Sequence, residues 1–386
     1  MIRRLFALAL VIFAPAFGAH ADEPLSDSAI LGAPPGFTIE SLRLRFTHYD
    51  QEGRGYQSQA DRPQVSQPGS EAVTVEQPQL EVVANQGKFT HRLWVPVDIV
   101  TAASPDALDA ISSASRTNEA ASLDLTSTYH LSHESDLFLR GGFHLEEPFR
   151  SWNLGVGGSR SFADDNTVIS ASLNQVFDWL DRFNIFGTRL GRDYRSSTNA
   201  NLGVTQLLSP TTVAHLEYGV TVQLGQLSNT WNAVPLATGN LAEERLPSLR
   251  HRHAFVGRLA QALPWHGAIH GFYRFYVDNW GILAHSFEVA LYQRFSSFGY
   301  VRLNYRVHHQ TAPYFWTPSA AANAQYRSAD SDLADFTAQT LGALVAVDLR
   351  FVRRVQSMHL DFGYERYFRT NDLRVNIYTC ALGFVF

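Results

Sequence analysis

The chain has 386 residues, of which 45% are hydrophobic, 17% charged and 12% aromatic, and its formal net charge is −5. Globular proteins carry about 25% charged residues, and a membrane helix needs about 18 consecutive apolar residues, which no stretch in the body of the chain reaches. The composition therefore argues against a helical membrane protein, a disordered chain and a basic nucleic-acid binder.

Residues 1–21 have the pattern of a Sec-type signal peptide. Two arginines near the start precede an apolar run from Leu5 to Phe17, and a small-residue cleavage motif ends at Ala21. A membrane anchor fits less well, because the run is short and contains Pro15. We expect export with cleavage near Ala21, followed by a flexible lead-in over residues 22–37.

From Thr38 onward the apolar residues alternate with polar ones at a period of two. In the segment 300–308, Val301, Leu303, Tyr305 and Val307 share one face, and arginine, asparagine and histidine occupy the other. Successive side chains of a strand point to opposite faces. Such a segment therefore separates an apolar environment from a polar one.

About sixteen segments of this kind follow one another, each long enough to cross a bilayer at a tilt. Short connections alternate with long stretches, which we place at 51–70, 102–117, 179–194, 225–249 and 310–333. A soluble β-sandwich would have shorter strands, and its connections need not alternate in length. The pattern predicts that residues 38–386 form an all-β transmembrane antiparallel barrel with about 16 strands, short periplasmic turns and long extracellular loops.

A barrel of this size is too wide for its own side chains to fill, so its inward positions meet water, a plug or a ligand. Alternation gives eleven leading candidates for residues that face the lumen. They include both positively and negatively charged side chains, so we expect no strong ion selectivity. The arginines either pair with carboxylates across strands, which is the favoured interpretation, or line a permeation path. These candidates are Arg43, Arg45, Arg140, Arg258, Arg274, Glu288, Arg302, Arg306, His308, Asp361 and Glu365.

The chain ends on an amphipathic strand with a terminal aromatic residue. Tyr378, Leu382, Phe384 and Phe386 fall on one face. This resembles the C-terminal signal that the barrel-assembly machinery reads in bacterial outer-membrane barrels. Cys380 shares the same face, so we expect its thiol to contact lipid, where it behaves as a small hydrophobe.

The segment 253–314 resembles the DUF3570 family of bacterial outer-membrane barrel proteins. It contains Phe272-Tyr273-Arg274-Phe275-Tyr276, then Asp278-Asn279-Trp280-Gly281-Ile282, then His285-Ser286-Phe287-Glu288. The family's pattern has aspartate where this chain has Asn279. The resemblance implies an outer-membrane barrel and no established activity.

We find no motif for catalysis or for a cofactor: there is no phosphate-binding loop, dinucleotide fingerprint or haem attachment site. His251 with His253, and His308 with His309, lack a third metal ligand nearby in sequence, and an acidic loop around Asp330 and Asp332 is better explained by solvation than by calcium. We therefore expect no enzyme, no cofactor and no metal site.

The leading functional hypothesis is a porin-like outer-membrane channel for small solutes or ions. The alternative is a non-catalytic scaffold that holds a periplasmic or lumenal partner, such as a redox protein. In either case the expected partners are outer-membrane lipid and, during biogenesis, the barrel-assembly machinery, with no nucleic acid.

Overall fold

The structure is a computed structural model that describes residues 36–53, 72–102, 117–146, 149–229, 232–349 and 355–386. The expected signal peptide and nearly all of the lead-in lie outside these residues. The described part consists of strands joined by turns and loops, and none of it forms a helix long and apolar enough to cross a membrane.

Sixteen antiparallel strands close into one barrel, in which each strand pairs with its neighbours in the chain and β1 pairs with β18. The strands β10 and β11 form a separate small hairpin in the connection between β9 and β12. The closed 16-stranded barrel expected from alternation is confirmed. The strands are β1 (Phe37–Gly53), β2 (Val73–Gln86), β3 (Phe89–Ala102), β4 (Thr117–Ser132), β5 (Ser135–Leu145), β6 (Phe149–Phe162), β7 (Thr167–Phe183), β8 (Arg189–Ser209), β9 (Thr212–Gly225), β10 (Ala233–Pro235), β11 (Leu241–Glu243), β12 (Leu249–Leu263), β13 (Gly267–Asp278), β14 (Leu283–Ser296), β15 (Gly299–Gln310), β16 (Phe336–Leu349), β17 (Ser357–Arg369) and β18 (Leu373–Val385).

The two ends of the barrel differ. Both described chain ends and the tight turns, such as 87–88 and 133–134, lie at one end, which we call the turn end. The opposite end, the loop end, carries the connections 226–248 and 311–335. The loops predicted at 51–70 and 102–117 lie almost entirely outside the described residues.

The prediction of a long connection at 179–194 is wrong. The strands β7 and β8 continue their pairing up to Phe183 and Arg189, and only residues 184–188 connect them. Alternating apolar residues such as Trp179 and Tyr194 keep the hairpin in register beyond the expected strand ends. An antiparallel ladder continues for as long as its two strands stay paired, and here it extends past the strand ends that the sequence predicted.

The outer face of the barrel is apolar. Leu139, Leu154 and Leu216 are 57%, 60% and 66% exposed, and they belong to a band of large apolar side chains that runs around the barrel. A soluble protein rarely exposes a contiguous apolar area of this size. Lipid contact explains the band, and the chain is therefore a transmembrane barrel.

Candidate functional site

All eleven lumen candidates lie on the inner face of the barrel. Their strand neighbours, for example Leu139 beside Arg140 and Leu303 beside Arg302, lie on the apolar outer face. Cross-strand register carries this assignment around the barrel, because directly paired residues share a face.

Most of the inward arginines are matched with a carboxylate on the adjacent strand or on the strand beyond it. Arg140 lies 3.0 Å from Asp124, and the Arg306 Nε donates a hydrogen bond of 2.7 Å to Glu288. The remaining pairs are Arg43 with Asp361, Arg302 with Glu365 at 3.4 Å and Arg258 with Glu217 at 3.7 Å.

Several inward arginines have no such match. Arg45, Arg252 and Arg274 form no ion pair with a described residue. His308 is matched by neutral groups: it makes hydrogen bonds of 2.8 Å to the Ser286 hydroxyl and 3.3 Å to Gln310.

Small residues allow side chains to bridge over a strand. Asn153 on β6 donates a 2.9 Å hydrogen bond to Asp124 on β4, and it passes above Gly142 of the intervening strand β5. Asn304 on β15 reaches Glu365 on β17 at 3.4 Å in the same way, above Gly342. The inner wall is therefore linked across strand triplets and not only between neighbours.

At the loop end, Arg250, Asp278 and Trp280 form a buried cluster on the inner face of the barrel. Arg250 on β12 donates hydrogen bonds of 2.6 and 2.8 Å to Asp278, and its guanidinium lies 4.0 Å from the centre of the Trp280 ring. The Asp278 carboxylate also accepts the backbone N–H groups of Trp280 and Ile282 at 3.0 Å. This cluster holds the β13–β14 turn against β12 and fixes the edge of the opening.

The connections 226–248 and 311–335 pack together, and we call them the loop cap. Val234, Ala320 and Ala329 form a small apolar core between them. The buried Glu244 carboxylate accepts hydrogen bonds of 2.6 Å from Ser328 and 2.7 Å from the Asn229 backbone N–H. The cap is thus a folded unit.

Two further contacts complete the cap and join it to the barrel wall. The Arg327 Nε donates a 3.0 Å hydrogen bond to the Glu243 carbonyl, and burial lowers the pKa of that guanidinium from its usual value. Arg369, on the inner face of β17, donates a 2.6 Å hydrogen bond to Asp332. Because Arg369 faces inward, this contact places the cap over the lumen.

A cavity of about 390 Å³ lies where the cap meets the wall. Its lining includes the inward Arg195 and Arg252 of β8 and β12, and Asp330 and Asp332 of the cap. Arg195 is itself hydrogen-bonded to Asp178 at 2.6 Å. The described part of the entrance is therefore lined by groups of both signs.

The family model described as a protein of unknown function, DUF3570, matches residues 179–378, which include the cluster around Arg250, the cap, all of β8 to β17 and the first part of β18. The match covers just over half of the chain. The chain belongs to the DUF3570 family.

Three solved structures with a fold similar to this DUF3570 barrel are distant from it in sequence. No curated protein sequence matches the chain. A bacterial polysaccharide outer membrane secretin is 9% identical, with 89% of this chain and 98% of that chain covered and a TM-score of 0.46. A BenF-like porin from Pseudomonas fluorescens Pf-5 is 8% identical, with 90% and 99% covered and a TM-score of 0.46. OccK1 from Pseudomonas aeruginosa is 8% identical, with 90% and 97% covered and a TM-score of 0.42. The likeness concerns the fold alone.

The paired histidines do not come together as ligands in this DUF3570 barrel. His308 faces the lumen and the adjacent His309 faces outward, because successive residues of a strand point to opposite faces. His253 lies on the outer face, where its Nδ1 and the Tyr218 hydroxyl form a 2.8 Å hydrogen bond. Asp332 of the acidic loop pairs with Arg369. The described residues contain no group of three or more potential metal ligands.

The C-terminal strand β18 places Tyr378 and Cys380 on the outer face, where both are exposed. Leu382, Phe384 and Phe386 follow at the same parity toward the turn end. Their recognition by the assembly machinery stays a prediction.

The sequence analysis did not single out Arg250 or Arg252, and it named Trp280 only as part of the segment that resembles the family. The two arginines share the parity of Arg258 on one strand, so alternation alone could have placed them in the lumen. Trp280 gave no such signal: a tryptophan near a strand end is typical of a lipid-facing girdle, yet this ring is only 2% exposed and packs on Arg250.

Proposed function

We propose that this protein is an outer-membrane channel through which small hydrophilic solutes pass. One observation carries the proposal: inward arginines at mid-height remain accessible to water. The side chains of Arg258 and Arg306 are 53% and 50% exposed although both point into the barrel, whereas Arg369, beneath the cap, is 4% exposed. A side chain packed in a filled interior would be covered, so the described wall is consistent with a wet lumen below the cap.

The two faces of the wall support placement in a bacterial outer membrane. An apolar outer band and a polar inner face, in a closed barrel with an even number of strands, are the features that such barrels share. The signal peptide expected over residues 1–21 supplies a route across the inner membrane. The loop cap is then the feature that sets the size of solute admitted.

Conductance in planar lipid bilayers tests the proposal, and a pair of cysteine variants sharpens it. In a Cys380→Ser background, Thr340→Cys introduces a thiol on the inner face and Leu341→Cys introduces one on the outer face, one residue away. We expect discrete current steps from each protein. A charged, membrane-impermeant thiol reagent should change the current through the Thr340 variant and leave the Leu341 variant unaffected.

A folded barrel that gives no current would overturn the channel proposal. Folding is established separately by the heat-dependent gel migration typical of β-barrels and by a β-rich circular dichroism spectrum. In that case the scaffold alternative, a barrel that holds a periplasmic or lumenal partner, would become the better proposal.

A further inference from the structure

We propose that one strip of the lumen wall selects small organic anions that carry a carboxylate. The arginine strip consists of Arg252 and Arg258 on β12, Arg274 on β13 and Arg306 on β15. The inference rests on the proposed channel function and adds a solute class to it. It also revises the expectation of no ion selectivity, which assumed that the mixed charges are spread evenly along the wall.

Strand register places these four arginines on one continuous part of the wall. Arg258, Phe272, Glu288 and Arg306 are direct cross-strand partners in a single row over four adjacent strands. Arg274 lies two residues from that row toward the loop end. Arg252 lies six residues along β12 from Arg258, which corresponds to roughly 20 Å at the usual rise of a strand. The strip therefore extends from the middle of the barrel toward the entrance.

Positive charge exceeds negative charge along the strip. One wall cavity of about 350 Å³ is lined by Arg252, Arg258 and Arg274, with Glu217 as its carboxylate. A second, of about 420 Å³, is lined by Arg258 and Arg306, with Glu288 as its carboxylate. Four arginines thus face two glutamates, a formal excess of two positive charges.

Two members of the strip have unused binding capacity. Among the residues that the structure describes, the buried Arg252 Nε has no hydrogen-bond partner, and Arg274 is exposed to the lumen with no ion pair. A buried donor without an acceptor costs free energy, so an incoming acceptor at that position is favoured. A guanidinium offers a planar pair of donors that matches the two oxygens of a carboxylate.

Aromatic rings support the guanidinium groups of the strip. Arg258 and Arg306 lie 5.6 and 5.7 Å from the centre of the Phe272 ring, and Arg274 lies 5.4 Å from that of Tyr276. These contacts restrict the arginine side chains without neutralising them. The strip is therefore held ready for an anion before the anion arrives.

Charges elsewhere on the path are engaged with one another. Arg43 pairs with Asp361 and Arg140 with Asp124 on other parts of the wall. In the cap, Asp332 pairs with Arg369, and Asp330 accepts a 3.1 Å hydrogen bond from Asn232. Unmatched arginines thus lie close together only at the strip, whereas Arg45 on β1 and Arg294 at the turn end of β14 are single ones.

Reversal potentials under a gradient of potassium acetate test the inference. We expect the wild-type channel to pass acetate in preference to potassium. In the double variant Arg252→Gln/Arg274→Gln the ratio of acetate to potassium permeability should fall by roughly threefold, because two positive charges are removed and salt and water screen the effect of each. Arg252→Lys/Arg274→Lys keeps the positive charges but removes the planar pair of donors. This variant should still prefer acetate over potassium, with weaker acetate binding.

A matched control removes two arginines from the outer face. Arg366 and Arg374 share the parity of the outward Tyr364 and Tyr378. Arg366→Gln/Arg374→Gln should leave the reversal potential unchanged, whereas an equal loss of anion preference in this variant would mean that the overall net charge, and not the strip, sets the selectivity.

The outcomes distinguish the two proposals. A folded wild-type barrel without current would overturn the channel itself. A conducting wild type that prefers potassium, or whose acetate preference survives the loss of Arg252 and Arg274, would overturn the arginine strip and leave the channel standing. Passage of chloride with exclusion of acetate would overturn the carboxylate class.

Discussion

Arg43 on the first strand forms an ion pair with Asp361 on the penultimate strand, and the pair crosses above the last strand. Arg43 is the cross-strand partner of Gly383, and Asp361 is the partner of Ala381. These small residues leave room for the guanidinium to pass. The pair therefore joins three strands where the two ends of the chain meet and the barrel closes.

The pair at this seam should make a small, measurable contribution to stability. The side chains are 42% and 16% exposed, so we expect a coupling free energy of about 0.5–1 kcal/mol. A double-mutant cycle of Arg43→Ala and Asp361→Ala, measured by urea unfolding in lipid vesicles, gives this value. The control cycle of Arg374→Ala with Asp361→Ala joins residues far apart and should give no coupling. Zero coupling in the first cycle would exclude a role for the seam pair.

Gly142 should not tolerate a side chain. A Cβ at this position would lie 2.7 Å from both the Leu123 carbonyl oxygen and the Asn153 Nδ2, and would break the bridge from Asn153 to Asp124. We expect Gly142→Ala to lower the free energy of unfolding by about 1–3 kcal/mol, as overpacking of a rigid site does. Urea unfolding in vesicles measures the change.

Gly141 provides the control for that substitution. It precedes Gly142 on the same strand, faces outward, and a Cβ there would meet no atom within 4 Å. Gly141→Ala should therefore be close to neutral. Equal losses in the two variants would mean that the glycines act through backbone freedom, and that the bridge contributes nothing.

An arginine should be tolerated on one face of β7 and not on the other. Leu173 is 49% exposed on the outer face, and Ser172 lies on the inner face next to Asn201. Leu173→Arg places a charge in lipid and should cost about 2–4 kcal/mol, whereas Ser172→Arg places it in the lumen at little cost. The yield of folded barrel and its unfolding free energy in vesicles measure both. A greater loss for Ser172→Arg would contradict the assigned faces.

The Glu244 carboxylate should hold the loop cap closed. Its two oxygens accept from Ser328 and from the Asn229 backbone N–H, and Glu244→Gln replaces one acceptor with a donor. We expect the cap to open more often, which exposes the buried Arg327. Trypsin cleavage after Arg327 in the native protein should become about tenfold faster.

The control for the cap is Asp335→Asn. Asp335 is exposed and ends the connection 311–335, which contains Arg327. Its substitution removes one negative charge, as Glu244→Gln does. Cleavage after Arg327 should stay at the wild-type rate in this variant. A Glu244→Gln protein that resists trypsin as well as the wild type would show that the apolar core around Val234 alone maintains the cap.

The sequence by itself determined which face of each strand meets lipid and that the sheet closes into a barrel. Alternation around residues such as Leu303 and Arg302 fixes which side chains meet lipid, because a strand sends successive side chains to opposite sides. Repetition of that pattern over about sixteen segments leaves a closed barrel as the way to satisfy every backbone hydrogen bond in a membrane. The pairing of residues 179–183 with 189–194 escaped the prediction, because the length of a ladder depends on both of its strands and not on the pattern of one segment.

Only the tertiary structure decided which charges neutralise one another. Whether Arg306 meets Glu288, or Arg252 meets no carboxylate, depends on the lateral register between strands, and residues far apart in the chain set that register. The loop cap likewise depends on contacts such as Glu244 with Ser328, 84 positions apart. Alternation along one strand carries no information about these distances. The composition of the lumen was therefore readable from the sequence, and the position of its unmatched charge was not.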